Sequence, residues 1–372
     1  MGNTINGILK CTNKQQFTVR TPEKFFQSGK NEVIVQPNLL RQYKLVEGAF
    51  VTGEAESKKG RDRLISIETL GGLSPEEFYK RPKYSDLTAV DPHERFDLGN
   101  NGQQSMRIID LIAPIGKGTR QLIVSPPRAG KTVLLEQMIH AINHCSPESR
   151  VIVLLVDERP EEVTSFRRAA GNAEIIASTS DHSADEHVEL CEMILRHVQT
   201  ELECGREIVL LIDSLTRIGR AFNNMTRKRS APRHHTMSGG LEAGILEIPR
   251  RLFGLARNIE NGGSITIVAT CLIHTGSRMD DLIFEEFKGT GNSEIVLDRA
   301  LAESRIFPAI DIPSSGTRKE AKLYNENENK GLATLRRVLS SYHQKEAMNA
   351  LFALLEKYPT NKEFLQSMSA GA

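Results

Sequence analysis

The chain has 372 residues, of which 39% are hydrophobic and 26% charged, and this balance is typical of a globular protein with two or three domains. Its 48 Lys and Arg nearly cancel its 47 Asp and Glu, which excludes a uniformly basic protein and leaves only local patches for any nucleic-acid affinity. The five scattered cysteines, and the lack of a leader pattern or a long apolar run, argue against a disulfide scaffold, secretion and a membrane span, so we expect a cytoplasmic protein.

Residues 1–71 are predicted to form a small all-β barrel. Short alternating apolar runs are separated there by Gly, Asn and Lys, at 7–9, 17–19, 32–35, 50–52 and 64–67. The next segment, 72–102, holds three prolines, many charges and few β-branched residues, so it is predicted to be a linker.

From residue 103 to the C-terminus, apolar strands alternate with amphipathic helices. The strands are predicted at 122–124, 151–156, 174–177, 208–212 and 265–269. After the third strand, Ser183 and Glu186 form the capping box of a helix. This alternation predicts an α/β fold in which helices cover a buried parallel sheet.

The first strand of this region leads into a turn that is typical of a phosphate-binding loop. Lys131 and Thr132 follow Gly130, and an apolar pattern with helical spacing begins directly afterwards. Such a loop presents backbone N–H groups to a phosphate, while the lysine reaches the β- and γ-phosphates and the threonine binds Mg²⁺. Ser125 occupies the position of the first glycine of the motif, so an ordinary turn between strand and helix is the alternative interpretation.

Two further strands end in acidic residues that suit ATP hydrolysis. Asp213 follows five aliphatic residues, as expected of an acid that positions Mg²⁺. Glu158 follows the strand at 151–156, and we interpret it as the general base that polarises the attacking water. We expect Glu161 and Glu162 to stabilise the start of the next helix.

Basic residues are concentrated in loops beyond these strands. No acid occurs from 214 to 241, where eight Arg, Lys and His residues lie in a turn-rich segment, and Arg278 follows the strand at 265–269. Phosphate contact and a merely solvated surface are both consistent with this charge. An arginine donated to a neighbouring subunit would lie further on, but the spacing alone leaves Arg299, Arg305 and Arg318 as alternatives.

Together these motifs resemble those of the bacterial transcription termination factor Rho family. The members of that family are ring-shaped RNA-dependent ATPases and helicases. The resemblance runs from about residue 31 to the C-terminus and is dense from Arg107 onward. Its most specific segments are PPRAGKT at 126–132, VDERPEEVT at 156–164, DSLTR at 213–217, EEFKGTGN at 285–292 and FPAID at 307–311. It implies a RecA-like P-loop core preceded by a barrel of the OB or cold-shock type.

The resemblance implies ATP as nucleotide and Mg²⁺ as its metal. Glu158 would be the catalytic base, Arg159 a nearby nucleotide contact and Phe307 the residue that stacks on adenine. Thr132 and Asp213 would hold Mg²⁺. The residues implied to surround the ATP phosphates are Gly116, Lys117, Gly118, Thr119, Arg120, Gln121, Arg128, Ala129, Gly130, Lys131, Thr132 and Val133.

The resemblance also implies a homohexamer that acts on nascent single-stranded RNA and on RNA polymerase, with no membrane partner. Arg305 and Arg318 would act on the γ-phosphate across the subunit interface, and Lys288 would couple that interface to RNA. In the central hole, RNA would contact Lys228, Arg229, Gly239, Gly240 and Arg278. On the barrel, the RNA-binding candidates are Phe17, Arg20 and Arg63.

The chain departs from the family pattern at several positions. Arg128 and Arg278 stand where the family carries lysine, and Phe17 is the only obvious aromatic residue on which an RNA base could stack in the barrel. Two alternatives therefore stay open: a ring that binds RNA without acting as a motor, and an ATPase of the protein-export or rotary type.

Overall fold

The N-terminal strands close into a barrel. The computed structural model describes residues 3–12, 16–22, 26, 32–58, 61–229, 240–242 and 244–370, without the side chains of 58 and 227–229. In that part of the chain the barrel strands are β1 (Asn3–Cys11), β2 (Phe17–Arg20), β3 (Val33–Val35), β4 (Phe50–Lys58) and β5 (Arg61–Leu70). Their order is β1-β2-β3-β5-β4, and β4 pairs antiparallel with β1 to close the barrel. The predicted OB-type barrel is confirmed.

A short helix that the sequence pattern did not predict interrupts the barrel. Helix α1 (Pro37–Tyr43) begins with a proline, which suits the first helical position, and ends where Lys44 adopts a left-handed conformation. Its Leu39 packs into the barrel interior beside Leu9 and Val51.

The segment predicted to be a linker, 72–102, carries ordered structure. Helix α2 (Pro75–Lys80) is followed by the two-residue strand β6 (Ala89–Val90), which joins the central sheet at its edge. Phe78 packs in the barrel interior and Leu98 in the core of the following domain. Isolated apolar side chains of this kind produce no periodic pattern, so their burial was not predicted.

A mainly parallel sheet lies at the centre of the rest of the chain, which confirms the predicted α/β fold. Besides β6, the described strands are β7 (Arg120–Ser125), β8 (Arg150–Glu158), β9 (Glu174–Thr179), β10 (Glu207–Asp213), β11 (Arg257–Ile259), β12 (Ser264–Leu272), β13 (Ser293–Val296) and β14 (Gly316–Thr317). Their order is β14-β13-β7-β12-β10-β8-β9, with β6 and β11 outside this path. The strands from β13 to β9 are parallel, so the carboxyl ends of β7, β8 and β10 meet at one edge, which is where ligands bind in such sheets.

Helices cover both faces of this sheet. They are α3 (Gln104–Ile112), α4 (Lys131–Cys145), α5 (Pro160–Ala169), α6 (Ala184–Glu203), α7 (Leu215–Arg229), α8 (Glu247–Phe253), α9 (Arg278–Lys288), α10 (Arg299–Glu303), α11 (Glu326–Leu339), α12 (Gln344–Glu356) and α13 (Asn361–Ala370). Alternate strand residues face opposite ways, so Val209 packs with α3, α4 and the C-terminal helices, whereas Ile208 packs with α6, α8 and α9. Among the described helices, none has the length and apolar character needed to cross a membrane.

The barrel packs along α6. His197 of α6 is fully buried, with its Nδ1 2.8 Å from the carbonyl oxygen of Gly48, and burial lowers its pKa to about 3. Gly48 has φ +92°, and a Cβ there would lie 2.4 Å from the backbone of Arg196, so only glycine fits this close approach. The Arg150 guanidinium also lies 4.9 Å from the ring centre of Phe50 in β4.

Candidate functional site

The loop between β7 and α4 has the geometry of an anion-binding site. Gly130 (φ 90°) and Arg128 (φ 67°) both adopt left-handed conformations, which turn the chain sharply into the first turn of α4. No side chain caps the N-terminus of α4 in the structure. Its first N–H groups and the positive end of the helix dipole therefore face the loop, where a phosphate group fits. Ser125, at the position of the missing glycine, is buried and donates its hydroxyl to the Pro126 carbonyl at 2.9 Å.

Lys131 and Asp213 meet at the carboxyl edge of the sheet, as their strands predicted. Lys131 Nζ contacts Asp213 Oδ1, and the Thr270 hydroxyl donates to the same oxygen at 2.8 Å. Asp213 is fully buried, and its Oδ2 accepts no hydrogen bond from the described residues. A buried carboxylate oxygen without a donor suits a cation, so Asp213, with Thr132 in the first turn of α4, fits the predicted Mg²⁺.

Glu158 ends β8 beside this pair and is 1% exposed. Arg217 Nε lies 2.8 Å from its Oε1 as an ion pair, without the alignment of a hydrogen bond. Burial, and next the Asp213 carboxylate, raise the pKa of Glu158 to about 8, although Lys131 and Arg217 oppose this shift. A carboxyl group with a raised pKa in a cleft is typical of an acid–base residue.

Arg217 is a site residue that was predicted only as one of the basic residues after Asp213 and as the end of the DSLTR segment, without a role beside Glu158. It lies in the first turn of α7 and donates through a guanidinium N–H to the carbonyl oxygen of Asp157, in addition to its ion pair with Glu158. It therefore holds the turn on which Glu158 lies. Its position four residues after Asp213, in the first turn of α7, was the available signal.

An apolar cavity of about 610 Å³ adjoins the phosphate loop and fits a nucleobase. Phe307 is 46% exposed at its wall, and a Cβ at Gly130 would lie 3.3 Å from the Phe307 ring. Ser105 and Gln137 line the same cavity and are joined by a hydrogen bond of 2.6 Å. These two polar residues were not predicted, because they belong to different helices and share no motif.

The turn at 116–121, which the resemblance places around the ATP phosphates, lies away from the phosphate loop of its own chain. The structure places this turn at the amino end of β7, whereas the phosphate loop lies at the carboxyl end. Because β7 has six residues, the turn and the phosphate loop are about 20 Å apart. Lys117 is nearly buried and pairs with Glu94 at 2.6 Å and Glu207 at 2.8 Å, so its ammonium is already neutralised. Gly116, Gly118, Thr119, Arg120 and Gln121 lie on the same edge. This turn therefore does not line the nucleotide pocket of its own chain.

Arg318 and Lys288 also lie at that opposite edge. Both line a cavity of about 80 Å³, and Arg318 borders a second cavity of about 200 Å³ together with Thr119 and Arg120. Arg305 is exposed and lies two residues before Phe307, near the base cavity. Arg159 is exposed at the start of α5, directly after Glu158.

Helix α7 joins the catalytic edge to the predicted RNA loops. It begins two residues after Asp213, and Arg220 on it donates through two guanidinium nitrogens to Asp280, which is fully buried in α9. The Asn223 amide donates to the Gly240 carbonyl at 3.1 Å. Arg278 is exposed as the first residue of α9. The side chains of Lys228 and Arg229, and all of Gly239, lie outside the described residues.

On the barrel, one of the three predicted RNA contacts is wrong. Arg20 is 5% exposed, and its guanidinium lies 2.9 Å from Glu189 of α6 and 3.4 Å from Glu32, so it ties the barrel to the ATPase domain. The arginine follows a half-buried Phe17 by three residues, so it faces the opposite side of the strand. Phe17 packs partly against the barrel interior, and Arg63 is exposed on β5.

We expect Arg20→Ala to destabilise the protein and leave RNA binding intact. Removing the buried partner of this part-buried, charge-assisted hydrogen bond costs about 1 kcal/mol, and the free energy of unfolding in urea measures this loss. Arg63→Ala is the matched control, because an exposed arginine on the same barrel should leave the unfolding free energy within about 0.5 kcal/mol. Weaker RNA binding by folded Arg20→Ala would contradict this assignment.

Comparison with known proteins identifies relatives over nearly the whole chain. The ATP synthase alpha/beta family, nucleotide-binding domain, matches residues 105–317. The protein named Transcription termination factor Rho from Aquifex aeolicus (strain VF5) is 43% identical over 373 residues, which cover 98% of this chain and 85% of the relative. The protein of the same name from Cereibacter sphaeroides is 43% identical over 98% of this chain and 87% of its own length.

A longer relative and a solved structure complete the comparison. The Transcription termination factor Rho of Streptomyces lividans is 42% identical over 97% of this chain but only 51% of its own length. Among solved structures, an ATPase from the type III secretion system of pathogenic bacteria matches 85% of this chain and 88% of its own, with a TM-score of 0.62 and 22% identity. At that identity the likeness concerns the fold alone.

Proposed function

Since the chain belongs to the family of the transcription termination factor Rho, and is thus an ATPase of transcription termination, we propose that it works as a homohexameric, RNA-dependent translocase and helicase. In this proposal the ring draws nascent single-stranded RNA through its centre and so releases the transcript from RNA polymerase. The alternative of a protein-export ATPase has no support from the relatives, which carry the termination factor name.

The observation that carries the proposal is the direct connection along α7. Its first turn holds Glu158 through Arg217, and its 15 residues span about 22 Å toward the basic end at 227–229. Midway, Arg220 fixes α7 to Asp280, two residues after Arg278. A change at the ATP site would therefore move both predicted RNA loops, because they are attached to one rigid helix.

At the nucleotide, each residue has a distinct task in the proposal. The N–H groups at the start of α4 and the Lys131 ammonium bind the phosphates. Asp213 Oδ2, which accepts no hydrogen bond from the described residues, and the Thr132 hydroxyl would hold Mg²⁺, which would offset phosphate charge. The Glu158 carboxyl group, once ionised, accepts a proton from the attacking water. Arg217 keeps the Glu158 carboxylate in place and balances its charge.

The opposite edge of the sheet serves the neighbouring subunit in this proposal. Arg318 and Lys288 lie far from the phosphate loop of their own chain and are exposed, with cavities beside them. Their position suits a contact across a ring interface, where an arginine stabilises charge on the γ-phosphate. Arg305, near the base cavity, is proposed to act at the same interface.

We expect Phe307→Ala to weaken ATP binding and leave the chemical step intact. Loss of a stacking ring costs about 1 to 3 kcal/mol, so the KM for ATP should rise about tenfold while kcat changes little. Steady-state kinetics with saturating RNA measures both constants. Phe307→Tyr keeps an aromatic face and should restore the KM, whereas a kcat loss larger than the KM rise would contradict the stacking role.

The proposal is tested by ATP turnover measured with poly(C), with other RNAs and without RNA. We expect stimulation by single-stranded RNA, because the basic loops are attached to the catalytic edge through α7. Turnover that no RNA changes would contradict the RNA-dependent motor. RNA binding that is tight but uncoupled from turnover would favour a ring that binds RNA without moving along it.

A further inference from the structure

The loop that carries Arg318 is fixed to strand β7 by hydrogen bonds centred on Asn292. Asn292 Oδ1 accepts from the backbone N–H of Arg120 at 2.8 Å, and its own N–H donates to the Arg120 carbonyl at 3.1 Å. The Asn292 carbonyl in turn accepts from the backbone N–H of Arg318 at 2.8 Å. One residue therefore joins the first residue of β7 to the backbone of Arg318.

Neighbouring hydroxyl groups extend this attachment. Ser293 Oγ donates to Gln121 Oε1 at 2.8 Å and lies 2.6 Å from Thr317 Oγ1. The Thr317 hydroxyl donates to the carbonyl of Pro114 at 2.7 Å. Ser293 is 3% exposed and Gln121 is fully buried, so these bonds are shielded from water and hold the residue before Arg318 in one place.

The Arg318 side chain itself is held by none of these bonds. It is exposed and has no ion pair among the described residues, whereas the adjacent Lys319 pairs with Asp91 at 2.9 Å. Burial raises the pKa of Glu294, which lines the cavity beside Arg318, and the cations of Lys288 and Arg318 oppose that rise. An exposed cation on a rigid backbone, without an ion pair among the described residues, is suited to an anion supplied by another molecule.

Strand β7 connects this support to the phosphate loop. Its first two residues, Arg120 and Gln121, hold the Arg318 loop, and its last residue, Ser125, begins the phosphate loop. Both ends of one six-residue strand in a buried sheet are thus in contact with residues assigned to ATP.

We propose that Asn292 is a positioning residue that sets the reach of Arg318 toward the nucleotide bound by the neighbouring subunit. The inference rests on the proposed ring and on the interfacial role of Arg318. Asn292 lines both cavities beside Arg318, so its loss would free the loop on either side.

The first test compares Asn292→Ala with Asn292→Asp. The alanine removes the acceptor for the Arg120 N–H, and kcat for RNA-stimulated turnover should fall about 10- to 100-fold, because misplacing a catalytic charge by about 1 Å has effects of that size. ATP binding at the subunit's own phosphate loop should be unchanged. Aspartate keeps the acceptor at the same distance and should restore kcat to within about threefold of wild type. Full activity of Asn292→Ala would overturn the inference.

The second test mixes subunits, since a defect in Arg318 positioning is felt only by the neighbour. Rings that combine Asn292→Ala with Glu158→Gln subunits contain interfaces with an intact Glu158 and a correctly held Arg318, so turnover should exceed the sum of the two separate rings. Arg318→Ala mixed with Glu158→Gln is the reference. If the reference mixture recovers turnover and the Asn292→Ala mixture does not, the inference is overturned and the proposed function stands.

If neither mixture recovers turnover, Arg318 does not act across the interface, and both the inference and that part of the proposed function are contradicted. Thr317→Val provides a second variant should Asn292→Ala fail to fold, because it removes the bond to Pro114 while preserving side-chain shape. It should show the same recovery in mixed rings, and its failure to do so would overturn the inference independently.

Discussion

Glu158→Gln is expected to lower kcat for RNA-stimulated ATP hydrolysis about 1,000-fold or more, while ATP still binds. The amide cannot accept the proton of the attacking water, and the base accounts for about 100- to 10,000-fold of such reactions. Lys131, the α4 N-terminus and Phe307 are untouched, so the affinity for a non-hydrolysable ATP analogue should stay within about threefold. Single-turnover hydrolysis and equilibrium binding separate the two effects.

Glu161→Gln is the matched control for this prediction. It removes a carboxylate from the exposed first turn of α5, three residues from Glu158, and turnover should remain within about twofold of wild type. Equal turnover in wild type and Glu158→Gln would contradict the assignment of the base.

The raised pKa of Glu158 gives the same substitution a pH signature. For the free enzyme, kcat/KM should rise with pH toward a plateau above about 8, because only ionised Glu158 accepts a proton. Between the ordinary value of 4.5 and about 8, the folded state binds one more proton than the unfolded state, so the free energy of unfolding falls as pH rises across that window.

Gln does not titrate, so Glu158→Gln should be more stable than wild type at pH 8, by about 1 kcal/mol or more, and similar to it near pH 4.5. Urea unfolding at several pH values measures the difference. A stability difference that does not grow with pH would contradict the raised pKa.

Arg318→Ala is expected to lower kcat about 1,000-fold, the size seen when an arginine that stabilises phosphoryl-transfer charge is lost. The substitution removes a solvent-exposed side chain without an ion pair among the described residues, so the unfolding free energy should change by less than about 0.5 kcal/mol. The combination of a large kinetic effect and an unchanged fold is typical of a group that acts only in the transition state.

Lys319→Ala is the control for Arg318→Ala, because it removes the neighbouring cation of the same loop. Unlike Arg318, Lys319 already forms an ion pair with Asp91. Its turnover should stay within about threefold of wild type. Losses of similar size in the two variants would indicate that the net charge of the loop, and not the guanidinium of Arg318, is what matters.

Most of the fold and the catalytic edge followed from the sequence because strand ends and motifs are local. Five aliphatic residues before Asp213 and the Gly-Lys-Thr turn each fixed one strand end, and parallel strands bring such ends together. The buried apolar residues of segment 72–102 and the helix α1 gave no periodic pattern, so the ordered structure there was not predicted.

The sequence could not place residues whose surroundings depend on which face or which end of a strand they occupy. Along the strand of Arg20, a shift of one residue moves a side chain from the solvent-exposed face to the face that packs on α6. Its partner Glu189 lies on α6, 169 residues further along the chain. The turn at 116–121 was assigned to the phosphate pocket by resemblance, yet a strand separates it from that pocket. The Ser105–Gln137 pair required the tertiary structure, because its two members belong to different helices.

Transcript release from stalled RNA polymerase complexes is the decisive test of the proposed ATP-driven RNA translocase. With wild-type protein and ATP, labelled RNA should leave the complex, whereas Glu158→Gln or a non-hydrolysable ATP analogue should leave it bound, because release requires hydrolysis coupled through α7 to the RNA loops. Release that is equally efficient without hydrolysis would contradict an ATP-driven translocase. The same holds if wild-type protein hydrolyses ATP in the presence of RNA but releases no transcript.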